Sequence, residues 1–355
     1  MKPFDLQNII RPHIFTLTPY SSARDEYAGT EGIFLDANEN PLGSVIADNW
    51  NRYPDPHQWE IKQKLAPIKG VRPQQIFLGN GSDEPIDLLI RACCSPRQDR
   101  ILIMPPTYGM YEVSANINDV EVTKVPLTAD FQLDTPAVLA AITPNTKIVW
   151  ICSPNNPSGN LLDGADIGQI LENFGGLVVV DEAYIDFAPV QSWTQQLGKY
   201  PNLVVLQTFS KAWGLASLRL GMCFASEEII GILNKIKPPY NLSGVSQKLL
   251  LEALDSELLK NQMVAQILDE RAVFCTNLAA LSLVKHIYSS DSNFLLVQFD
   301  NAPAVMQYLI DTKIIVRDRS KVQRCGGCLR ITVGTAQENA TLINALKTIP
   351  QSQNA

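Results

Sequence analysis

Residues 203–221 read LVVLQTFSKAWGLASLRLG, a stretch in which one lysine follows an apolar run and precedes a row of small residues. The apolar start is typical of a buried β-strand, which would end in Thr208, Ser210 and Lys211. A lysine that attacks a carbonyl must lie in a partly desolvated pocket, where its amine can lose a proton. Nearby hydroxyl groups and Arg219 suit a phosphate dianion. By itself, the stretch is equally typical of a solvated turn at a strand end.

A second apolar run, Leu177 to Val180, leads directly into Asp181. Four consecutive apolar residues are typical of a parallel strand that is buried on both faces. A buried carboxylate is costly unless it meets a positive charge, and the protonated ring nitrogen of pyridoxal phosphate (PLP) is such a charge. Tyr184, three residues on, could donate a hydrogen bond to the phenolic oxygen of that ring. The alternative for Asp181 is a helix N-cap after the strand.

Three further strand patterns also end in residues that suit a ligand. The strand at Lys147–Cys152 is followed by a turn-rich loop that contains Asn156. The strand at Gln75–Leu78 leads into Gly79-Asn-Gly-Ser-Asp83 and a helix, whose first backbone N–H groups suit an anion. The strand at Arg100–Met104 is followed by Tyr108. Because ligands of open α/β sheets bind at the carboxyl ends of the strands, these residues are expected to form one site.

These motifs resemble those of the fold-type I, class II-like PLP-dependent aminotransferases over nearly the whole chain. The resemblance implies an α/β fold, with a large domain around a mostly parallel sheet flanked by helices and a smaller α+β domain. It implies that Lys211 is the Schiff-base lysine, Asp181 the partner of the ring nitrogen, and Tyr184 with Asn156 the pair that binds the ring oxygen. Ser82, Asp83, Thr208, Ser210 and Arg219 resemble the phosphate ligands, and Tyr108 the residue that stacks on the ring.

Within that family the closest resemblance is to the histidinol-phosphate group. Arg330, in LRITVGT, resembles the arginine that binds a substrate carboxylate, and Arg317 resembles a second anion-binding arginine. Tyr20 matches the N-terminal segment of this group. Histidinol phosphate has no carboxylate, so its phosphate would use these same arginines. Tyr53 resembles the tyrosine that a neighbouring subunit lends to the phosphate site, which implies a homodimer with shared active sites.

The implied reaction is amino transfer from histidinol phosphate to 2-oxoglutarate, which gives imidazole acetol phosphate and glutamate in histidine biosynthesis. Lys211 would move the proton, with Asp181 keeping the ring protonated. Two alternatives keep the cofactor and the fold: an aromatic aminotransferase, or a threonine-phosphate decarboxylase. A PLP-binding regulatory module without turnover is a third, disfavoured because the full catalytic set is present.

Bulk properties exclude several classes of partner. The net charge of −7 over 355 residues argues against nucleic acid, and no long apolar segment or basic block suggests a membrane. The seven cysteines are an odd number spread through apolar runs, as expected of reduced thiols in the cytoplasm. Cys325 and Cys328 form a CxxC pair without a second pair, so we expect a turn there and no metal ion.

The chain is predicted to consist of three parts. They are an N-terminal arm at residues 1–40, the large PLP-binding domain at residues 41–250, and the C-terminal small domain at residues 251–355. The resemblance implies that the arm belongs to the small domain. In the last part the pattern predicts a long helix from 256 to 283, strands at 293–299, 314–317 and 329–333, and helices at 302–311 and 337–347.

Overall fold

The computed structural model describes residues 2–21, 32–46 and 49–349. The strands of the central sheet are β1 (Ile76–Asn80), β2 (Arg100–Ile103), β3 (Glu121–Lys124), β4 (Thr146–Cys152), β5 (Leu177–Asp181), β6 (Leu203–Thr208) and β7 (Leu220–Phe224). They lie in the order β1-β7-β6-β5-β4-β2-β3. Only β7 runs antiparallel to its neighbours, while β3, β2, β4, β5 and β6 pair in parallel. The predicted mostly parallel sheet is therefore confirmed.

Helices cover both faces of this sheet. The α-helices that the structure describes up to residue 254 are α1 (Leu6–Ile9), α2 (Pro12–Phe15), α3 (Trp59–Lys69), α4 (Asp83–Cys93), α5 (Met110–Ile117), α6 (Thr135–Ala141), α7 (Gly164–Asn173), α8 (Glu227–Ile236) and α9 (Gly244–Leu254). Val178 and Val180 of β5 lie in one apolar core with α3 and α7, and Val179 lies in the opposite core with α4 and α8. Each of these fully buried side chains contributes roughly 1.5–3 kcal/mol to stability.

A second, smaller sheet lies in the last third of the chain. Its strands are β8 (Val284–Ile287), β9 (Phe294–Phe299), β10 (Arg317–Asp318) and β11 (Cys328–Thr332), antiparallel in the order β10-β11-β9-β8. The accompanying helices are α10 (Glu257–Ala279), α11 (Ala302–Asp311) and α12 (Ala336–Lys347), which share one apolar core with this sheet. The predicted smaller α+β unit is confirmed.

The start of the predicted arm packs against the large unit. Ile9 and Ile10 are buried with residues of α4 and α8, and the Arg11 N–H donates to the Ala92 carbonyl at 2.8 Å. For residues 6–15 this packing differs from the expected place in the small domain. The domain boundaries at residues 40 and 250 stay predictions.

Two elements of the small unit differ from expectation. The predicted strand at 314–317 is wrong for its first three residues: the Ile314 N–H turns back to the Leu309 carbonyl at 2.8 Å, and only Arg317 joins the sheet. The predicted helix to residue 283 ends at Ala279, because turns at Leu281 and Val284 lead into β8, which the sequence pattern did not reveal. Within the described ranges, no helix is both long enough and apolar enough to cross a bilayer.

Candidate active site

A cavity of about 150 Å³ opens at the carboxyl ends of β4, β5 and β6. Parallel strands direct their carboxyl ends to one edge, so residues distant in sequence converge there. The predicted site residues that line the cavity are Ser82, Asp83, Tyr108, Asn156, Asp181, Tyr184, Thr208, Ser210, Lys211 and Arg219. The structure thus brings together the residues at all five predicted strand ends.

Asp181 is the most buried carboxylate of the cavity wall, with 2% of its surface exposed. The Tyr111 hydroxyl donates to one oxygen at 2.6 Å, and the Ala183 N–H donates to the other at 3.1 Å. Burial raises the pKa of Asp181 to about 6, while these two hydrogen bonds act in the opposite direction. The group is therefore a fixed, buried carboxylate rather than an N-cap, since the next helical segment, a 3-10 turn at Ile185–Phe187, has Tyr184 as its N-cap.

Lys211 stands beside this carboxylate on the loop that follows β6. Its Nζ lies 5.7 Å from the centre of the Tyr184 ring. The pKa of Lys211 is lowered, first by burial and then by the positive charges of Arg330 and Arg219. A lowered pKa increases the fraction of free amine at neutral pH, which is the form that attacks carbonyls and accepts protons.

Asn156 and Tyr184 form a hydrogen-bonded pair on the cavity wall. The Asn156 amide donates to the Tyr184 hydroxyl at 3.4 Å, and both residues are buried. The pair projects from the loops after β4 and β5, as the order of the strands requires. Both side chains line the cavity and can form hydrogen bonds with a ligand there.

The start of α4 and Arg219 form a part of the cavity wall whose groups suit an anion. The first turn of α4, which starts at Asp83, faces Arg219, whose guanidinium lies 3.7 Å from the Asp83 carboxylate. That carboxylate also accepts a hydrogen bond from Tyr108 at 3.1 Å. The groups that remain for an anion are the N–H groups of the helix start, Arg219 and the hydroxyl of Ser210.

Two glycines allow Arg219 and the start of α4 to lie close together. A Cβ on Gly221 would lie 2.2 Å from the backbone of Gly81, and a Cβ on Gly81 would lie 2.9 Å from the Arg219 guanidinium. Gly81 also has a φ of +66°, which side-chain-bearing residues rarely adopt. The cavity is therefore shaped so that Arg219 and the helix start meet.

The residues present fit PLP. A buried carboxylate without a full positive partner suits the ring nitrogen, the amide and phenol suit the ring oxygen, and the start of α4 with Arg219 suits the phosphate. Lys211 lines the same cavity and would hold the cofactor through its aldehyde. The individual roles of the ten lining residues stay predictions.

Arg330 connects the small sheet to the cavity. Its guanidinium donates to the Asn156 side-chain oxygen at 2.6 Å and lies over the Phe294 ring at 5.2 Å. Arg317 is paired directly opposite Arg330 in the antiparallel register of β10 and β11. Both predicted substrate arginines therefore lie on one face of the small sheet, and Arg330 contacts a residue of the cavity wall.

Arg317, Tyr20 and Tyr53 do not line the cavity in this chain, and Arg330 reaches it only through Asn156. Tyr20 is 75% exposed, and the segment that follows it, 22–31, lies outside the described residues. Tyr53 is 51% exposed and its ring stacks on Tyr240 at 4.4 Å. Their roles stay predictions.

The sequence interpretation missed two residues of the cavity region. Tyr111, which holds Asp181, is fully buried between Tyr108 and Trp150. Cys152 lines the cavity and pairs with Asp181 in the register of β4 and β5. Cys152 carried a usable signal, because it is the last residue of a predicted strand, whereas Tyr111 lies within a helix.

Comparisons with known proteins agree with this geometry. A family model described as aminotransferase class I and II matches residues 30–346. The histidinol-phosphate aminotransferase of Cytophaga hutchinsonii is 56% identical over 97% of this chain and 99% of that protein. The enzyme of the same name from Parabacteroides distasonis is 52% identical over 97% and 98%. The crystal structure of histidinol-phosphate aminotransferase from Sinorhizobium meliloti in complex with pyridoxal-5'-phosphate superposes with a TM-score of 0.77, at 24% identity, over 88% of this chain and 89% of that one.

Proposed function

This chain belongs to the class I and II aminotransferase family, and from that premise we propose that it transfers the amino group of histidinol phosphate to 2-oxoglutarate with PLP as cofactor. The products are imidazole acetol phosphate and glutamate. The relatives that are about half identical over nearly full length carry this activity in their names.

The observation that carries the proposal is the arrangement of charges around one cavity. Lys211, with its lowered pKa, and the buried carboxylate of Asp181 share a wall, and Arg330 reaches the same wall through Asn156. An amine that can react with carbonyls and an arginine that can bind anions therefore lie at the same cavity. Bound PLP supplies an electron sink that stabilises negative charge on the substrate carbon next to nitrogen.

The residues of this chain then have distinct tasks. Asp181, fixed by Tyr111 and Ala183, would hold the ring nitrogen and its proton. Lys211 would anchor the cofactor and, once released by the incoming amine, move the proton from the substrate Cα. Arg330, positioned by Asn156, would bind the anionic group of each substrate in turn.

We also propose a cytoplasmic homodimer in which Tyr53 of each subunit reaches the phosphate site of the other. Its exposed position in a Pro-punctuated stretch, away from its own cavity, supports that role. The free cysteines of the chain support a reducing compartment.

Steady-state turnover tests the function against its alternatives. The purified protein is supplied with PLP, 2-oxoglutarate and one donor: histidinol phosphate, phenylalanine or threonine phosphate. We expect the highest kcat/KM for histidinol phosphate, measured as glutamate formed. A higher value for phenylalanine would favour an aromatic aminotransferase, and CO2 release from threonine phosphate would favour the decarboxylase.

A further inference from the structure

A third arginine, Arg319, lies beside Arg317 and Arg330. The Arg319 N–H donates to the Cys328 carbonyl at 2.9 Å, which continues the pairing of β10 with β11 past Asp318. Side chains two residues apart on an extended segment lie on one face, and directly opposed residues of an antiparallel pair share a face. Arg317, Arg319 and Arg330 therefore share one face of the small sheet.

These three positive charges have no acidic partner among the residues that the structure describes: no carboxylate oxygen lies within 4 Å of any of them. The intervening Asp318 alternates to the other face, where it accepts the Ser320 N–H at 2.7 Å. Like charges placed directly opposite each other destabilise a strand pair. The arrangement is thus costly to the protein in the absence of an anion.

Arg319 is partly withdrawn from solvent. Its residue surface is half-buried, and its Nε is buried without an acceptor within the described part of the chain. A buried donor that lacks a partner costs free energy, which a bound acceptor would restore. Burial, followed by the charges of Arg330 and Arg317, also lowers the pKa of Arg319.

Tyr184 connects Arg319 to the cavity. Burial raises the pKa of the Tyr184 phenol, and the positive charges of Arg330 and Arg319 partly oppose that shift. Both guanidinium groups therefore act on a side chain that lines the cavity wall. Arg330 is in turn hydrogen-bonded to Asn156 on the same wall.

We propose that Arg319 is a third anion-binding residue, which together with Arg317 and Arg330 selects an amino donor that carries a phosphate monoester. This inference rests on the proposed function and assigns Arg319 to the substrate end of that same site. A phosphate dianion presents two charges and three terminal oxygens, and so it can engage more than one guanidinium fork. A single carboxylate is satisfied by one fork, which Arg330 already provides.

The test compares two donors that differ only in the phosphate, histidinol phosphate and histidinol. Arg319→Gln removes the charge, and Arg324→Gln, at an exposed arginine in the following loop, is the matched control. We expect Arg319→Gln to lower the kcat/KM ratio of histidinol phosphate to histidinol by about tenfold or more. The control should keep the wild-type ratio, and the KM for 2-oxoglutarate should change less than the KM for histidinol phosphate.

The outcomes separate the inference from the function on which it rests. An unchanged ratio in Arg319→Gln, or equal losses with both donors, would overturn the role of Arg319 while the wild-type preference for histidinol phosphate stands. A wild-type protein that shows no such preference would instead overturn the proposed function. Where the Gln variant does not fold, Arg319→Lys replaces it. Lysine keeps the charge but lacks the planar guanidinium fork, so we expect a smaller fall in the kcat/KM ratio. An unchanged ratio in Arg319→Lys would overturn the proposal.

Discussion

The two ends of the active-site region differ in their balance of charge. At the cofactor end, the carboxylates of Asp181 and Asp83 face the cations of Lys211 and Arg219. At the substrate end, Arg317, Arg319 and Arg330 share a sheet face without a carboxylate within 4 Å, among the residues described. One end holds charges of both signs close together, whereas the arginine-bearing sheet face at the other end carries only positive charge within the described part of the chain.

This difference matches two kinds of ligand. A permanent cofactor that carries both a phosphate and a protonated ring requires anion-binding and cation-binding groups at fixed places. A substrate anion that enters and leaves at each turnover requires an accessible positive surface. Between turnovers, the positive charges of that surface repel one another. Variants at the cofactor end should therefore abolish chemistry, whereas variants at the substrate end should change the choice among substrates.

The largest effect is expected from Lys211→Ala. Loss of the amine removes both the covalent anchor and the proton carrier, so kcat should fall by about 10³-fold or more, while PLP is still bound through its phosphate and ring. Turnover and the absorbance of the lysine-bound cofactor measure the two effects. Lys347→Ala, at an exposed position in the last turn of α12, is the control. Near-normal turnover in Lys211→Ala would remove the lysine from the mechanism.

Asp181→Asn should have the next largest effect. The amide keeps the shape but not the charge, so the ring proton is no longer favoured and kcat should fall by about 10²-fold or more. Cofactor affinity should fall far less than kcat. Asp186→Asn is the control, because Asp186 pairs with Lys260 at 2.9 Å outside the cavity and should affect thermal stability instead. Equal kcat in Asp181→Asn and wild type would leave Asp181 a structural role only.

Arg330→Ala and Arg317→Ala test the other end. Arg330→Ala should lower kcat/KM for both histidinol phosphate and 2-oxoglutarate, by about ten- to a hundredfold, since both present an anion. Arg317→Ala should weaken the use of histidinol phosphate more than that of phenylalanine, whose side chain offers no second anion. Steady-state kinetics with each donor measures the ratio. Equal losses for both donors would contradict a phosphate-binding role for Arg317.

Tyr53→Phe should have a smaller effect, about a tenfold loss of cofactor affinity, because one hydroxyl contact to a phosphate is removed. A sharper measurement uses mixed dimers in which one chain carries Tyr53→Phe and the other carries Lys211→Ala. One of the two sites would carry both defects and the other would be intact, so mixing two impaired parents should restore activity. Verified heterodimers that recover nothing would contradict the shared site.

The smallest expected effect is a shift in pH dependence. Below its pKa the Asp181 carboxyl is neutral and no longer attracts a ring cation, so cofactor affinity should fall as the pH drops through about 6. Tyr111→Phe removes a hydrogen bond that lowers this pKa. The fall should then begin at higher pH, by up to about one unit. Cofactor titrations against pH measure it, with Tyr200→Phe, a buried tyrosine bonded to Glu172, as the control. An unchanged or lowered midpoint would contradict the contact.

The two ends also differ in how far the sequence predicts them. Lys211 and Asp181 each follow an apolar run, and parallel strands bring such positions to one edge whatever the details of packing. The cofactor end was therefore predictable from local patterns. Tyr111 was missed because its contact with Asp181 depends on how α5 packs on the sheet.

The arrangement of the arginines at the substrate end depends on the register in which β10 pairs with β11. Arg317 faces Arg330 only because β10 begins at Arg317 and pairs antiparallel with β11, and a one-residue slip would place it on the other face. The resemblance to known enzymes identified these two arginines, but nothing local marked Arg319. The bounds of the strand predicted at 314–317 were wrong because a turn after α11 includes its first three residues, so that only Arg317 pairs with β11.

The half-reaction with histidinol phosphate tests the proposed function without the acceptor step. Histidinol phosphate is added to the PLP-loaded protein without an acceptor, and the absorbance of the lysine-bound cofactor is followed, with 2-oxoglutarate added afterwards. The band should disappear with one imidazole acetol phosphate formed per site, and it should return with one glutamate formed per site. A band that histidinol phosphate leaves unchanged, while phenylalanine or threonine phosphate removes it, would contradict the proposed function.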